Sequence, residues 1–210
     1  MRLLYLRRAL RRILRRRPPD WSAHGAKAAL ADKLVALDPW KCRLCQMLCR
    51  STGATRILEV GTSFGVSTLY LAAAVRENVA ETGGPGLVTG TEWEPAKVAA
   101  ARENLTRAGL DDVVDIREGD IRDTLKEIEG GIEFVLMDIW APMARPALDL
   151  LAPKLKPGAL LFCDNVVRFR RDYRDYLEQV RDPATGFMST TLPGGGGVEL
   201  SQWLPSRAPI

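Results

Sequence analysis

The chain has 210 residues, 46% of them apolar and 27% charged, the balance of a globular domain long enough for one substantial core. No apolar run approaches the roughly 20 residues that span a bilayer as a helix. The net charge of +4 divides unevenly. Residues 1–17 hold eight arginines and no acid, while the other 193 residues carry 22 basic and 26 acidic side chains. The folded part is therefore acidic, which argues against nucleic acid as its partner, because backbone binding needs a positive surface.

Residues 2–17 read as a basic amphipathic helix. Leu3, Leu6, Leu10 and Ile13 recur at helical spacing among Arg7, Arg8, Arg11, Arg12 and Arg15, and Pro18-Pro19 ends the pattern. Three readings stay open: peripheral contact with an anionic membrane, an organellar presequence, and a solvated or partner-packed helix. The arginines interrupt the Leu-rich part and argue against a secretory signal. The pattern divides the chain into a tail (1–19), a helical segment on the substrate side (20–52) and a main domain (53–210).

Helical patterns cover 22–37 and 40–51. The second carries Cys42, Cys45 and Cys49 at i, i+3, i+7, one face of a helix. A fourth ligand is not nearby and the only histidine is His24. Buried, reduced core cysteines are thus the stronger reading, against a metal cluster, and they fit a reducing cytoplasm. Strand signals then fall at 56–60, 86–92, 113–118, 132–138 and 158–164. Helices fill the gaps at 65–79, 95–108, 121–129, 143–153 and 170–181. Such alternation predicts an α/β fold, a Rossmann-like and mostly parallel sheet with helices on both faces. Phe187–Leu192 and Val198–Leu204 flank a run of four glycines and read as a terminal antiparallel β-hairpin.

The most informative stretch is ILEVGTSFGVSTLYL, residues 57–71. A short apolar strand ends in Glu59-Val60-Gly61, a turn of small residues runs from Thr62 to Gly65, and a helix follows. Gly61 and Gly65 let the backbone turn tightly and let a ligand lie against it. The exposed amides of the helix start favour a polar or anionic group, at the carboxyl end of a strand, where open α/β sheets bind ligands. The spacing is Glu-x-Gly-x-x-x-Gly, not the dinucleotide fingerprint Gly-x-Gly-x-x-Gly. Glu92, followed by Trp93, ends the second strand 31 residues after Gly61 and suits the two hydroxyls of a ribose. Asp120-Ile121 ends the third strand, where a carboxylate suits an adenine amino group or a helix cap.

Two further strand ends are acidic: Met137-Asp138-Ile139-Trp140 and Cys163-Asp164-Asn165. Adjacent parallel strands bring Asp138, Asp164 and Asn165 to one edge. Two carboxylates and an amide oxygen form a hard oxygen set suited to Mg²⁺ or a similar divalent cation. Such an ion acidifies a bound hydroxyl.

In order and spacing, ILEVGTSFGVSTL, TGTEWEPAKVAAARENLTRAGL, EGDIRDTL, LMDIW and LKPGALLFCDNV resemble the S-adenosylmethionine-dependent O-methyltransferases of the catechol and caffeoyl-CoA type. The likeness runs from about Trp40 to Trp203. It implies a seven-stranded sheet with a last antiparallel strand. It implies cofactor contacts at Glu59, Gly61, Thr62, Ser63, Gly65, Ser67, Glu92, Trp93, Asp120, Ile121, Asp138 and Trp140. It also implies a divalent cation on Asp138, Asp164 and Asn165, with Asp138, Lys41 and Glu199 at the catalytic or acceptor side. Relatives that methylate catechols carry a lysine base three residues after the first metal-binding aspartate. Here that residue is Ala141, and Ala144 replaces the aromatic that often follows. Lys41, Arg145 and Arg168 are the candidates to stabilise an oxyanion instead. Arg168, Arg170, Arg171 and Arg174 leave room for an acidic acceptor. The expected partner is a small molecule, and both a monomer and a homodimer are open.

Overall fold

The computed structural model describes residues 36–205; the expected basic helix at 2–17 and nearly all of the helix expected at 22–37 lie outside them. Pro39 and Pro95 start the first and third helices, at the position where a missing N–H costs nothing. In chain order the elements are α1 (Pro39–Thr52), β1 (Arg56–Val60), α2 (Val66–Thr82), β2 (Leu87–Glu92), α3 (Pro95–Ala108), β3 (Val114–Glu118), α4 (Ile121–Thr124), β4 (Ile132–Met137), α5 (Ala144–Leu151), β5 (Leu155–Asp164), α6 (Arg174–Arg181), β6 (Phe187–Leu192) and β7 (Val198–Trp203). The seven strands form one sheet in the order β3-β2-β1-β4-β5-β7-β6. β1 to β5 are parallel, whereas β7 runs antiparallel to both β5 and β6.

The central strands β1, β4 and β5 are buried on both faces, so each contributes to two cores in alternation. Leu58, Val60, Val135, Met137, Leu161 and Cys163 pack with residues of α5 and α6. Ile57, Val88, Phe134, Leu136, Phe162 and Val198 pack with residues of α1, α2 and α3. Cys42, Cys45 and Cys49 lie in this second core, essentially inaccessible and unpaired. Burial pushes the Cys42 thiol up to about 11 and raises the other two as well, so the thiolate that a metal needs is disfavoured.

Two helices differ from expectation. The one expected at 121–129 stops at Thr124. Lys154 Nζ takes the carbonyls of Leu125, Lys126 and Ile128 at 2.7, 2.8 and 2.6 Å, and carbonyls turned toward an ammonium cannot continue a helix ladder. The one expected at 170–181 begins at Arg174. Upstream of it the chain runs in turns, with the Asp172 and Tyr173 amides bonded to the Phe169 carbonyl and the Arg174 amide to that of Arg171.

Candidate active site

The strand order changes direction between β1 and β4, and a ligand crevice opens outside the carboxyl ends at such a point. The glycine turn leaves β1 here. Gly61 has φ +99°, and a Cβ on it would lie 2.2 Å from the Asp138 carbonyl oxygen. The turn can therefore pass over the end of β4 only with glycine at this position. The amides of Gly61 and Thr62 both bond to the Thr91 carbonyl, at 3.1 and 2.9 Å.

Glu59 supports the turn from below. It is fully buried and accepts hydrogen bonds from the hydroxyls of Ser67 and Thr68. Desolvation lifts its pKa to about 7, despite those hydroxyls, which pull it down. Glu59 and Ser67, both expected to contact the cofactor, thus bond to each other beneath the turn.

Glu92 is pre-set by three backbone amides. Ser63 donates to one oxygen at 2.8 Å, and Trp93 and Glu94 donate to the other at 2.8 and 2.9 Å. Of the about four acceptor sites of a carboxylate, one is left on the oxygen that Ser63 reaches, open to a ribose hydroxyl. Ser63 Oγ is buried with no hydrogen-bond partner among the described residues, an orphan that a polar ligand group would satisfy. The turn and strand end therefore fit a nucleoside cofactor. Asp120 caps α4 by accepting from the Arg122 amide at 2.9 Å, and the Arg122 side chain pairs with both its oxygens. Ile121 packs against the core on the α5 side, and Trp93 is 46% exposed.

Asp138 and Asp164 stand at the ends of β4 and β5, on the sheet face that carries α1. The Asp138 amide is tied to the Val60 carbonyl at 3.0 Å. Its carboxyl is raised to about 7, first by burial, then by the charges of Asp164 and Glu59, with Lys41 pulling the other way. Asp164 is raised too, by burial, against the bond from Lys41. Two like charges at one edge call for positive charge. Asn165, at φ 63°, donates its Nδ2 to Asp164 at 3.1 Å. Among the described residues no three His, Cys, Asp or Glu side chains gather as a metal site, so the acid pair and the Asn165 amide are the candidate set. Its chemistry would fit a hard divalent cation once the amide flips to turn its oxygen, in place of the donating Nδ2, toward the acids.

Lys41 was not expected here as a partner of Asp164. It is 1% exposed, and its ammonium donates to Asp164 and to the Gly195 carbonyl, each at 2.5 Å. Asp38 lies 3.5 Å away. The glycine run hinted at this, because a chain passing tight against side chains needs glycine.

Glu199 is a correction. Expected beside the acceptor, it lies opposite Cys163 in the register, whereas Asp164 lies opposite Val198. Period-two alternation thus turns Glu199 to the other sheet face. There, fully buried, it is taken up by Arg181 (2.7 and 2.8 Å), Ser189 (2.7 Å) and Thr191 (2.6 Å). It fastens the hairpin to α6. Ala141 is buried in a short helical turn. Arg145 pairs with Asp149, and Arg168 is exposed and stacks over Phe169.

A family described as "Methyltransferase domain" matches residues 58–166. A catechol O-methyltransferase of Mycobacterium tuberculosis is 32% identical over 168 residues, 72% of this chain and 73% of that protein. A catechol O-methyltransferase of Niastella koreensis is 30% identical over 138 residues, 64% of this chain; the chain spans only 59% of that protein's length. The fold is shared with an O-methyltransferase from Bacillus cereus solved in complex with SAH, at a TM-score of 0.73 and 24% identity, covering 85% of this chain and 87% of that one. The chain therefore belongs to the methyltransferase-domain family, as a relative of the catechol O-methyltransferases.

Proposed function

We propose that the protein transfers a methyl group from S-adenosylmethionine to a hydroxyl of a small, catechol-like or otherwise vicinal diol, with the help of a divalent cation, Mg²⁺ first. The observation that carries this reading is the acid pair Asp138 and Asp164 with Asn165, set beside a glycine turn whose ribose acceptor, Glu92, is already held by three amides. When bound, S-adenosylmethionine supplies an electrophilic methyl group and the cation supplies acidification of the acceptor hydroxyl. Glu92 would accept a ribose hydroxyl, Ser63 would offer its hydroxyl, and Asp120 and Trp140 would serve the adenine. Asp138, Asp164 and Asn165 would hold the cation. Positioning then contributes most of the acceleration, because the reactive group arrives on the cofactor.

Ala141 favours a second reading, a cofactor-binding homologue with weak turnover. Alanine cannot take a proton, and Lys41 is committed as a donor to Asp164 and Gly195. Labelled methyl transfer to a panel of catechols and caffeoyl-type diols, with Mg²⁺ and then with chelator, separates the two. The first reading expects transfer that chelation and Asp138→Ala each abolish. Cofactor binding without transfer to any diol would overturn it in favour of the second. Transfer indifferent to chelator would remove the cation from the mechanism.

A further inference from the structure

Lys41 sits in the first turn of α1, at the carboxyl edge of the sheet, and its ammonium has the surroundings of a bound cation. Three oxygens face it: Asp164 Oδ1 and the Gly195 carbonyl at 2.5 Å, and Asp38 Oδ2 at 3.5 Å. An ammonium has three donors and no acceptor, so this set matches its capacity. The other oxygen of Asp164 receives the Asn165 amide at 3.1 Å. Both oxygens of one expected cation ligand are therefore engaged, one of them by a tethered positive charge.

The same ammonium holds the turn between β6 and β7. A Cβ on Gly195 would lie 2.7 Å from Asp38 Oδ2 and 2.9 Å from Lys41 Cε, and one on Gly196 would lie 2.4 Å from Asn165 Oδ1. The turn lies flat against the residues that would receive a cation. In turn, the carbonyls of Gly196 and Gly197 fix the amides of Val166, Val167 and Arg168 at 2.8–3.1 Å. Lys41, the glycine turn and the segment after Asn165 form one connected unit.

Resting on the cation reading above, we propose that the Lys41 ammonium and a divalent cation compete for the Asp164 carboxylate, and that Lys41 latches the Gly194–Gly197 turn until the cation displaces it. Lys41 is then a positioning residue that sets how tightly the site takes metal, and through the turn it couples metal occupancy to the order of residues 166–168. Two positive charges on one carboxylate repel, and the carboxylate cannot satisfy both at full strength.

The test is Mn²⁺ binding to the full chain, by calorimetry and by the electron paramagnetic resonance signal of the free ion, in the unmodified protein and in Lys41→Met. Lys41→Gln, which keeps a neutral donor to Asp164, serves if Lys41→Met does not fold. The expected result is at least tenfold tighter Mn²⁺ binding in the variant. In the unmodified protein, saturating Mn²⁺ should also speed hydrogen exchange at the Val167 and Arg168 amides. Equal or weaker Mn²⁺ binding in the variant would overturn the competition, and unchanged exchange would overturn the latch. No Mn²⁺ binding by any of these proteins, with S-adenosylmethionine binding intact, would overturn the cation reading itself.

Discussion

The two halves of the site are held by different forces. The cofactor half is a local structure, tied by backbone amides and hydroxyls: Ser63, Trp93 and Glu94 onto Glu92, and Ser67 and Thr68 onto Glu59. The acceptor half is tied by charge, with Lys41 spanning 123 residues to Asp164 and 154 to Gly195. Backbone amides and hydroxyls set the geometry of the first half in advance and leave the Ser63 hydroxyl for a ligand. Unbalanced charge makes the second half responsive to whatever brings or removes a positive ion.

The sharpest test of that contrast is the pair Asp164→Ala and Asp138→Ala. Removing Asp164 strands the buried Lys41 ammonium and should cost about 3–5 kcal/mol of stability. Removing Asp138 takes away a carboxylate already disfavoured by its neighbours and should be neutral or stabilising. Both should lose methyl transfer. Denaturant unfolding measures the difference, and equal losses would break the contrast.

Gly61→Ala attacks the other half. The new Cβ meets a backbone oxygen, which cannot move aside, at a positive φ, so a loss of about 2–4 kcal/mol and of cofactor affinity is expected. Unchanged S-adenosylmethionine affinity by calorimetry would show that the turn does not cradle the cofactor.

The third test uses pH. The Glu59 pKa is about 7 when folded against 4.5 for a free glutamate side chain, so the folded state holds this proton more tightly than the unfolded one. The resulting stability is fully present below pH 4.5 and is lost as pH rises toward 7. The swing is about 3 kcal/mol for a shift of this size. Glu59→Gln should remove that slope, so the difference in Tm between variant and parent should grow more favourable from pH 5 to pH 8. A difference that does not change with pH would place the proton elsewhere.

The smallest effect is expected from Glu199→Gln. It weakens the bidentate bond from Arg181 and should cost about 1–2 kcal/mol, with acceptor KM unchanged. A raised KM at unchanged Tm would return Glu199 to the acceptor side.

What could be read from the sequence follows the same division. The glycine turn, Glu92 and the strand-end acids were legible because their geometry is set within a few residues, by strand alternation and turn chemistry. Lys41 was visible only as a residue of the catalytic or acceptor side, since nothing in its neighbours names a partner 123 positions away. Glu199 was misread although the information was present. Its parity relative to Val198 decides which sheet face it takes, but that requires the β5–β7 register, which pattern alone does not give. The helix after Asp120 ended early because of Lys154, the last residue of a short helical turn after α5.

The long reach of Lys41 also bears on how the molecule assembles. The hydrogen bonds onto Glu59 and Glu92 all come from within residues 59–94. The acceptor edge needs residues 38–41, 164–168 and 194–197 together, and closing loops of that length is slow and entropically costly. The amides on Glu92 and the hydroxyls on Glu59 are thus close in sequence, whereas the edge at Lys41 closes only with the last hairpin in place. Burial of the Lys41 ammonium therefore reports that this hairpin has docked.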